Sequence, residues 1–338
     1  MTKTARICFV SFLAAVLLAL PWMRVNDYIL QVMVAFIPQA MMGLAFALAL
    51  KVGLPRFDIV AWQGIGAYTC AELMLRAHWS FWPTILVAGI VAMLLGWLCY
   101  RPALPRGMMV FLLFGMVIVL AVYQLFGSLS FFGGWGGTGI LPKVTLGGFR
   151  FVSRRSVYFL GLGFLVVNVF VYYLLYKSRI GRAWNAIGSS LGLAKSVGVN
   201  VVRYRMANVL IGNFFLAVSG CYLVACNQMA NPGSFTFSNS VGVMMYVVVG
   251  GLRFAIAGPL AGAVVITLIP EYLRFAQQWA PVLTGAVTIL IIVFLPNGLL
   301  GLVDNRVRPW LGRRKWFARL RGGSTDSPEV PLSNRSLE

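Results

Sequence analysis

The sequence predicts an all-α fold, a polytopic integral membrane helix bundle, on three observations. Hydrophobic residues make up 60% of the chain and charged residues 11%, with a mean hydropathy of +0.85, a balance that excludes an ordinary soluble domain. Apolar runs recur along the chain at about the length needed to cross a bilayer. Runs such as 9–20 and 158–175 do not alternate, as the roughly ten-residue strands of a membrane barrel would.

Taken in order, the first run covers 5–22, behind Lys3 and with Arg6 at its start. The bulky sequence Leu20-Pro21-Trp22-Met23 offers no small-residue cleavage site, so a retained span is expected rather than a signal peptide. The second run, 28–50, contains Pro38 and Gln39. A proline is tolerated in a span whose neighbours satisfy the freed carbonyl, which predicts a kink there. The third, 59–76, carries Ala61, Gly64, Ala67 and Ala71 on one stripe, where small residues let another helix approach closely. Glu72 and Arg76 lie four apart and are expected to pair. Run 81–100 starts at Trp79 and Trp82, and 108–126 follows the basic connection 101–106.

A polar connection, 127–155, comes next. Its glycine-rich part, 133–139, holds a formal GxGxxG at Gly134, Gly136 and Gly139, followed by Ile140-Leu-Pro142. A dinucleotide fingerprint needs a strand before it and a helix after it, so a flexible outer loop is the expectation. Runs 157–176 and 206–227 follow. Between 241 and 279 the apolar sequence is broken at Gly250-Gly251, Arg253 and Gly258-Pro259. That predicts two short spans, 241–254 and 258–275, or a re-entrant pair. The last run, 281–294, ends at Leu295-Pro-Asn-Gly298. The expected organisation is therefore about ten transmembrane helices, or eight plus a re-entrant pair, within a membrane domain 1–303. The remainder, 304–338, reads as a basic, disordered tail.

Lys and Arg concentrate in 51–56, 101–106, 177–205 and from Arg306 onward, which places both termini on the cytoplasmic side. The net charge of +20 belongs to membrane-flanking segments, so membrane lipid rather than nucleic acid is its expected partner. One of these segments, 177–205, carries Lys177, Arg179, Arg182, Lys195, Arg203 and Arg205 and no acid. Ile180, Ala183, Trp184, Ile187, Leu191 and Ala194 recur at spacings of three and four, as on one face of a short amphipathic helix. Such a helix either rests on anionic headgroups or docks a partner protein.

Chemistry has little to work with. The five cysteines, Cys8, Cys70, Cys99, Cys221 and Cys226, sit in or beside apolar runs, and His78 is the single histidine. Neither a metal site nor a disulfide framework is indicated. No Walker A loop is present, so the chain has no ATP site of that type. Only eight acids exist, and none forms a catalytic pair. The chain reads as a pathway rather than an enzyme, without a cofactor of its own. Gln39, Gln63 and Tyr68 are the candidate polar lining of that path. Gly64, Gly66, Gly250, Gly251, Gly258 and Gly262 read as helix-packing positions.

The sequence Ser-Arg-Ile-Gly-Arg-Ala-Trp-Asn-Ala-Ile at 178–187, with Ala-Lys-Ser-Val-Gly-Val-Asn at 194–200, resembles the coupling region of branched-chain amino acid ABC transporter permeases of the LivM type. Gln-Gly-Ile-Gly-Ala-Tyr-Thr at 63–69, the loop 232–237, Gly250-Gly251, Gly-Pro-Leu-Ala-Gly-Ala at 258–263, 270–274 and 296–301 match in the same order. The resemblance implies an all-α permease subunit of a binding-protein-dependent importer in the bacterial inner membrane. It implies a LivH-like permease, two ABC ATPase subunits that bind the ATP, and a periplasmic substrate-binding protein as partners. Carried over by position, Arg179, Gly181, Arg182, Ala183, Ala186, Ile187, Ala194 and Gly198 would couple to the ATPase. Departures at Ser189, Ser190, Leu191 and Leu193-Ala194 bear on which ATPase is the partner, and the departure in the connection 51–58 widens the implied cargo from branched-chain amino acids to amides, urea and aromatic acids. A secondary transporter or channel working without an ATPase is the rival reading.

Overall fold

The computed structural model describes residues 27–146, 149–151, 153–252, 254–273, 279–294 and 298–301. The predicted first span 5–22 and the tail 304–338 lie outside the described residues. Eleven helices of six residues or more are described: α1 (Asp27–Leu50), α2 (Ile59–Leu75), α3 (Phe81–Ala103), α4 (Met108–Ser128), α5 (Arg154–Lys177), α6 (Arg179–Ser189), α7 (Leu191–Ser196), α8 (Val201–Asn227), α9 (Phe237–Gly250), α10 (Ala257–Tyr272) and α11 (Ala280–Phe294). A two-residue antiparallel hairpin pairs β1 (Thr145–Leu146) with β2 (Phe149–Arg150) in the loop before α5.

Five helices, α1, α3, α4, α5 and α8, are long and apolar enough to cross a membrane, and α9, α10 and part of α11 are shorter apolar helices. The chain is thus an all-α membrane protein. Helices α9 and α10 have 14 and 16 residues, about 21 and 24 Å at 1.5 Å per residue. They form a tight antiparallel pair shorter than the hydrocarbon core, and both begin and end within a few residues of the predicted positions.

The centre of the bundle is α8, which packs on α1, α2, α3 and α5. It starts five residues before the predicted 206, because Asn200 caps it by accepting a hydrogen bond from Arg203 N at 3.1 Å. Its closest neighbour, α2, is buried all round, from Ile59 and Trp62 through Tyr68 and Cys70 to Met74, as an interior helix must be apolar on every face. Both helices run from the end that carries the basic stretch toward the end that carries the glycine-rich loop. Where they cross, a Cβ on Gly66 would lie 2.3 Å from Ala217 Cα, and one on Gly220 would lie 2.0 Å from Gln63 O. The two backbones touch, and dispersion between them replaces what lipid would supply.

At the glycine-rich end, loop 129–141 and the turn after α8 lace together. Thr138 N donates to Ala230 O at 2.9 Å, Ala230 N donates to Thr138 Oγ1 at 2.9 Å, and Leu141 N donates to Gln228 O at 2.8 Å. The predicted flexible loop is therefore an ordered cover with paired backbone groups.

Candidate functional site

The basic stretch folds as two helices, not one. Ser178 caps α6 by accepting from Gly181 N at 3.2 Å, while Ser190 turns to φ −157° and accepts from Leu193 N at 3.4 Å to start α7. Serine favours such caps over helix interiors because its hydroxyl competes for backbone N–H groups. The break redistributes the expected apolar face. Gly181, Trp184, Ile187 and Ala194 are buried against the bundle, whereas Ile180 and Leu191 are exposed.

The seat of this hairpin is specific. Trp184 Nε1 donates to Tyr204 O at 2.9 Å, tying α6 to the first turn of α8. A Cβ on Gly181 would stand 2.3 Å from Leu175 O, so the turn out of α5 closes on backbone alone. Facing away from the bundle are Arg179, Arg182, Ala186, Lys195 and Gly198, with Leu193 at 68% and Val197 at 74% exposure. Ala183 is half-buried. Gly198, at φ +81°, ends α7 in a left-handed conformation suited to glycine. The predicted coupling residues thus divide: Gly181, Ile187 and Ala194 face the spans, and Arg179, Arg182, Ala186 and Gly198 face outward.

Beneath the hairpin lies a charged cluster in the connection between α1 and α2. After α1 the chain turns at Gly53, which takes φ +65°, and Val52, Leu54, Arg56 and Asp58 are buried on alternate positions. Arg56 Nε and Nη2 grip Asp58 Oδ1 and Oδ2 at 2.9 and 2.5 Å, with exposures of 1% and 0%. Arg56 Nη2 also donates to Asn213 Oδ1 at 2.5 Å, Trp62 Nε1 donates to Asp58 Oδ2 at 2.5 Å, and the Tyr100 hydroxyl donates to the same carboxylate oxygen. Burial alone would raise the Asp58 pKa, but the Arg56 charge and the bonds from Arg56, Tyr100 and Trp62 outweigh it and hold the carboxyl below its ordinary value. No signal in the sequence marks this cluster, where Arg56 and Asp58 flank Phe57 as solvent-facing charges would.

The candidate path residues sit in helix seams. Gln63 Nε2 donates to Ser219 Oγ at 3.0 Å, and Ser219 Oγ donates to Pro38 O at 3.2 Å. Gln39, partly exposed, accepts from Tyr246 OH at 2.8 Å between α1 and α9. Tyr68 stacks on Phe126 at 3.9 Å between ring centroids and reaches Ala230 O at 3.4 Å. Of the candidate packing glycines, Gly64 faces the Phe235 ring, and Gly66 meets α8 as described. Added Cβ atoms on Gly250, Gly258 and Gly262 would approach Gly258 O, Gly251 O and Tyr246 O at 1.8, 2.5 and 1.7 Å. Gly251 takes φ +110° in the turn between α9 and α10. The four described cysteines are free, and among the described residues no group of metal-binding side chains assembles.

These features define a multi-pass helical membrane protein with a basic and apolar hairpin exposed at one end. Residues 28–296 match the family described as branched-chain amino acid transport system / permease component, and the chain belongs to that family. It is 28% identical over 303 residues to the high-affinity branched-chain amino acid transport system permease protein LivM of Salmonella typhimurium, covering 80% of this chain and 70% of that one. It is 26% identical to the probable branched-chain amino acid transport permease protein LivH of Methanocaldococcus jannaschii, over 74% of this chain and 84% of the relative. A galactose/methyl galactoside import permease protein, MglC of Haemophilus influenzae, is 26% identical over 43% of this chain. No solved structure matches.

Proposed function

We propose that this chain is one permease subunit of an ABC importer in the bacterial inner membrane, moving branched-chain amino acids or a related small solute. It pairs with a LivH-like permease and is driven by two separate ATPase subunits, with a periplasmic binding protein delivering the solute. Relatives named for amino acids and for a galactoside leave amides, urea and aromatic acids within the same class. The basic end is cytoplasmic, in line with the distribution of Lys and Arg, and the full complement is about ten spans, with 5–22 the first.

The observation that carries the reading is the two-sided hairpin. Its inner face is fixed to α5 and α8, while Leu193, Val197, Arg179 and Arg182 are held outward on a short rigid element. An apolar centre rimmed by cations is the pattern of a helix that seats in a groove of another protein. Gly181, Ile187 and Ala194 serve this coupling by fixing the hairpin to the spans. Gln39, with Tyr246, is the polar pair we assign to the path wall, and Gln63 and Tyr68 brace that wall from behind.

A detergent pull-down from the native membrane, with ATP hydrolysis assayed in the eluate, tests the reading. Leu193→Asp is expected to lower the co-purified ATPase about tenfold while leaving thermal unfolding within about 0.5 kcal/mol, as for a surface change. Ile187→Asp is expected to lower the unfolding midpoint itself, since it buries an unpaired carboxylate. An eluate without ATPase, under conditions that retain other complexes, would favour the secondary transporter.

A further inference from the structure

The hairpin touches the bundle at a point its sequence motif does not include. Gly188, near the end of α6, lies directly on the carbonyl of Lys51, where an added Cβ would come within 2.3 Å of the oxygen. No flexible side chain stands between the two backbones to absorb a displacement. The turn below is fastened to α8, because Arg205 Nε donates to Val52 O at 3.2 Å and Asn208 Nδ2 donates to Leu48 O at 3.0 Å. From there the connection leads into Arg56 and Asp58, whose bonds end on Trp62 in α2, Tyr100 in α3 and Asn213 in α8.

We propose that the connection 51–58 is a further mechanical link between the hairpin and the spans, beside the covalent one and the Trp184–Tyr204 bond, with Gly188, Arg56 and Asp58 as positioning residues of the transport cycle. The inference rests on the reading of the hairpin as the ATPase contact. The covalent link from α6 to the spans passes through Ser178, where the helix is interrupted at ψ 172°. The Gly188–Lys51 contact has no such break. A push on α6 is delivered to a buried connection whose charges are multiply bonded, so it moves with the adjoining ends of α2 and α3 rather than bending between them. Coupling then requires close backbone contact at 188 and the fork of a guanidinium at 56, which a lysine cannot reproduce.

The test uses the complex purified from its native membrane with its ATPase bound, in a background whose cysteines are replaced by alanine. Spin labels at Trp79→Cys and Tyr272→Cys, both exposed positions on loops or helix ends, report the distance between the α2–α3 turn and the end of α10. ATP with vanadate is the probe. Wild type is expected to shift to a second distance. Gly188→Ala is expected to keep its ATPase but lose about fivefold or more of the shifted population. Gly163→Ala, where an added Cβ meets nothing within 4 Å, is expected to behave as wild type. Arg56→Lys is expected to show a similar loss, and combining it with Gly188→Ala should add little, because both break one chain of contacts. An unchanged shift in Gly188→Ala, or two losses that multiply independently, overturns the link alone. A wild-type eluate with no ATPase overturns the reading beneath it and the link together.

Discussion

Helix α2 has an ion pair near each end, and the two have the same length but different surroundings. Arg56 and Asp58 meet at 2.5 Å with exposures of 1% and 0%, while Arg76 and Glu72 meet at 2.5 Å with exposures of 54% and 16%. The first is enclosed by Trp62, Tyr100 and Asn213. The second lies at the rim, where Arg76 also donates to Phe131 O at 2.5 Å and covers the Phe131 ring at 3.8 Å. Distance is therefore a poor guide to what an ion pair does. A buried pair is costly to desolvate and costlier to break, so it fixes geometry more than it adds stability. An exposed pair is screened by water and adds little.

Breaking one partner of the buried pair should have the largest effect. Arg56→Met or Asp58→Asn is expected to cost about 3–5 kcal/mol, because the remaining partner loses its compensation, read as a lower thermal midpoint in detergent. Replacing both, as Arg56→Met with Asp58→Leu, is expected to cost less than either single change, about 1–3 kcal/mol, for the bonds then missing at Trp62, Tyr100 and Asn213. A double variant weaker than both singles would break the comparison.

The seam midway between the two pairs gives a further reference. Gly66→Val must push α2 off Ala217, and a cost of about 1–3 kcal/mol or more is expected, against little change for Gly163→Val in open space. A pH series sharpens the contrast. The Asp58 carboxyl titrates below its ordinary value in the folded chain. Its contribution is therefore complete above about pH 4, the unfolded value, and is lost as pH falls through the lower folded value. Thermal midpoints of wild type should fall further below about pH 4 than those of the double variant. The smallest effect belongs to the rim: Glu72→Gln is expected to change stability by less than about 1 kcal/mol. A loss comparable to that of Asp58→Asn would show that the rim pair is shielded after all.

Much of the architecture was legible because span length is a local property. Segments 28–50, 59–76, 81–100, 108–126 and 157–176 correspond to α1–α5 within a few residues, since a bilayer demands a continuous apolar helix whatever it packs against. The two short helices around Gly250-Gly251 and Gly258-Pro259 were readable for the converse reason, that glycine and proline interrupt the run. The basic stretch announced a surface helix, and its motif carried the family. Its break at Ser190 was harder to see, because serine at that position suits a helix face as well as a cap.

The sequence by itself determined the class of protein, the approximate positions of most spans, the exposed basic stretch and the want of an ATP-binding loop, all of which follow from composition, periodicity and motif. Only the tertiary structure decided which side of that hairpin each residue occupies, that Gly188 rests on Lys51, and that Arg56 and Asp58 form a buried cluster with residues up to 157 positions away. The reason is physical. Membrane insertion is governed by hydropathy summed along a local segment, whereas burial of a charge and contact of two backbones depend on which helices cross, and that is set by long-range packing around α8.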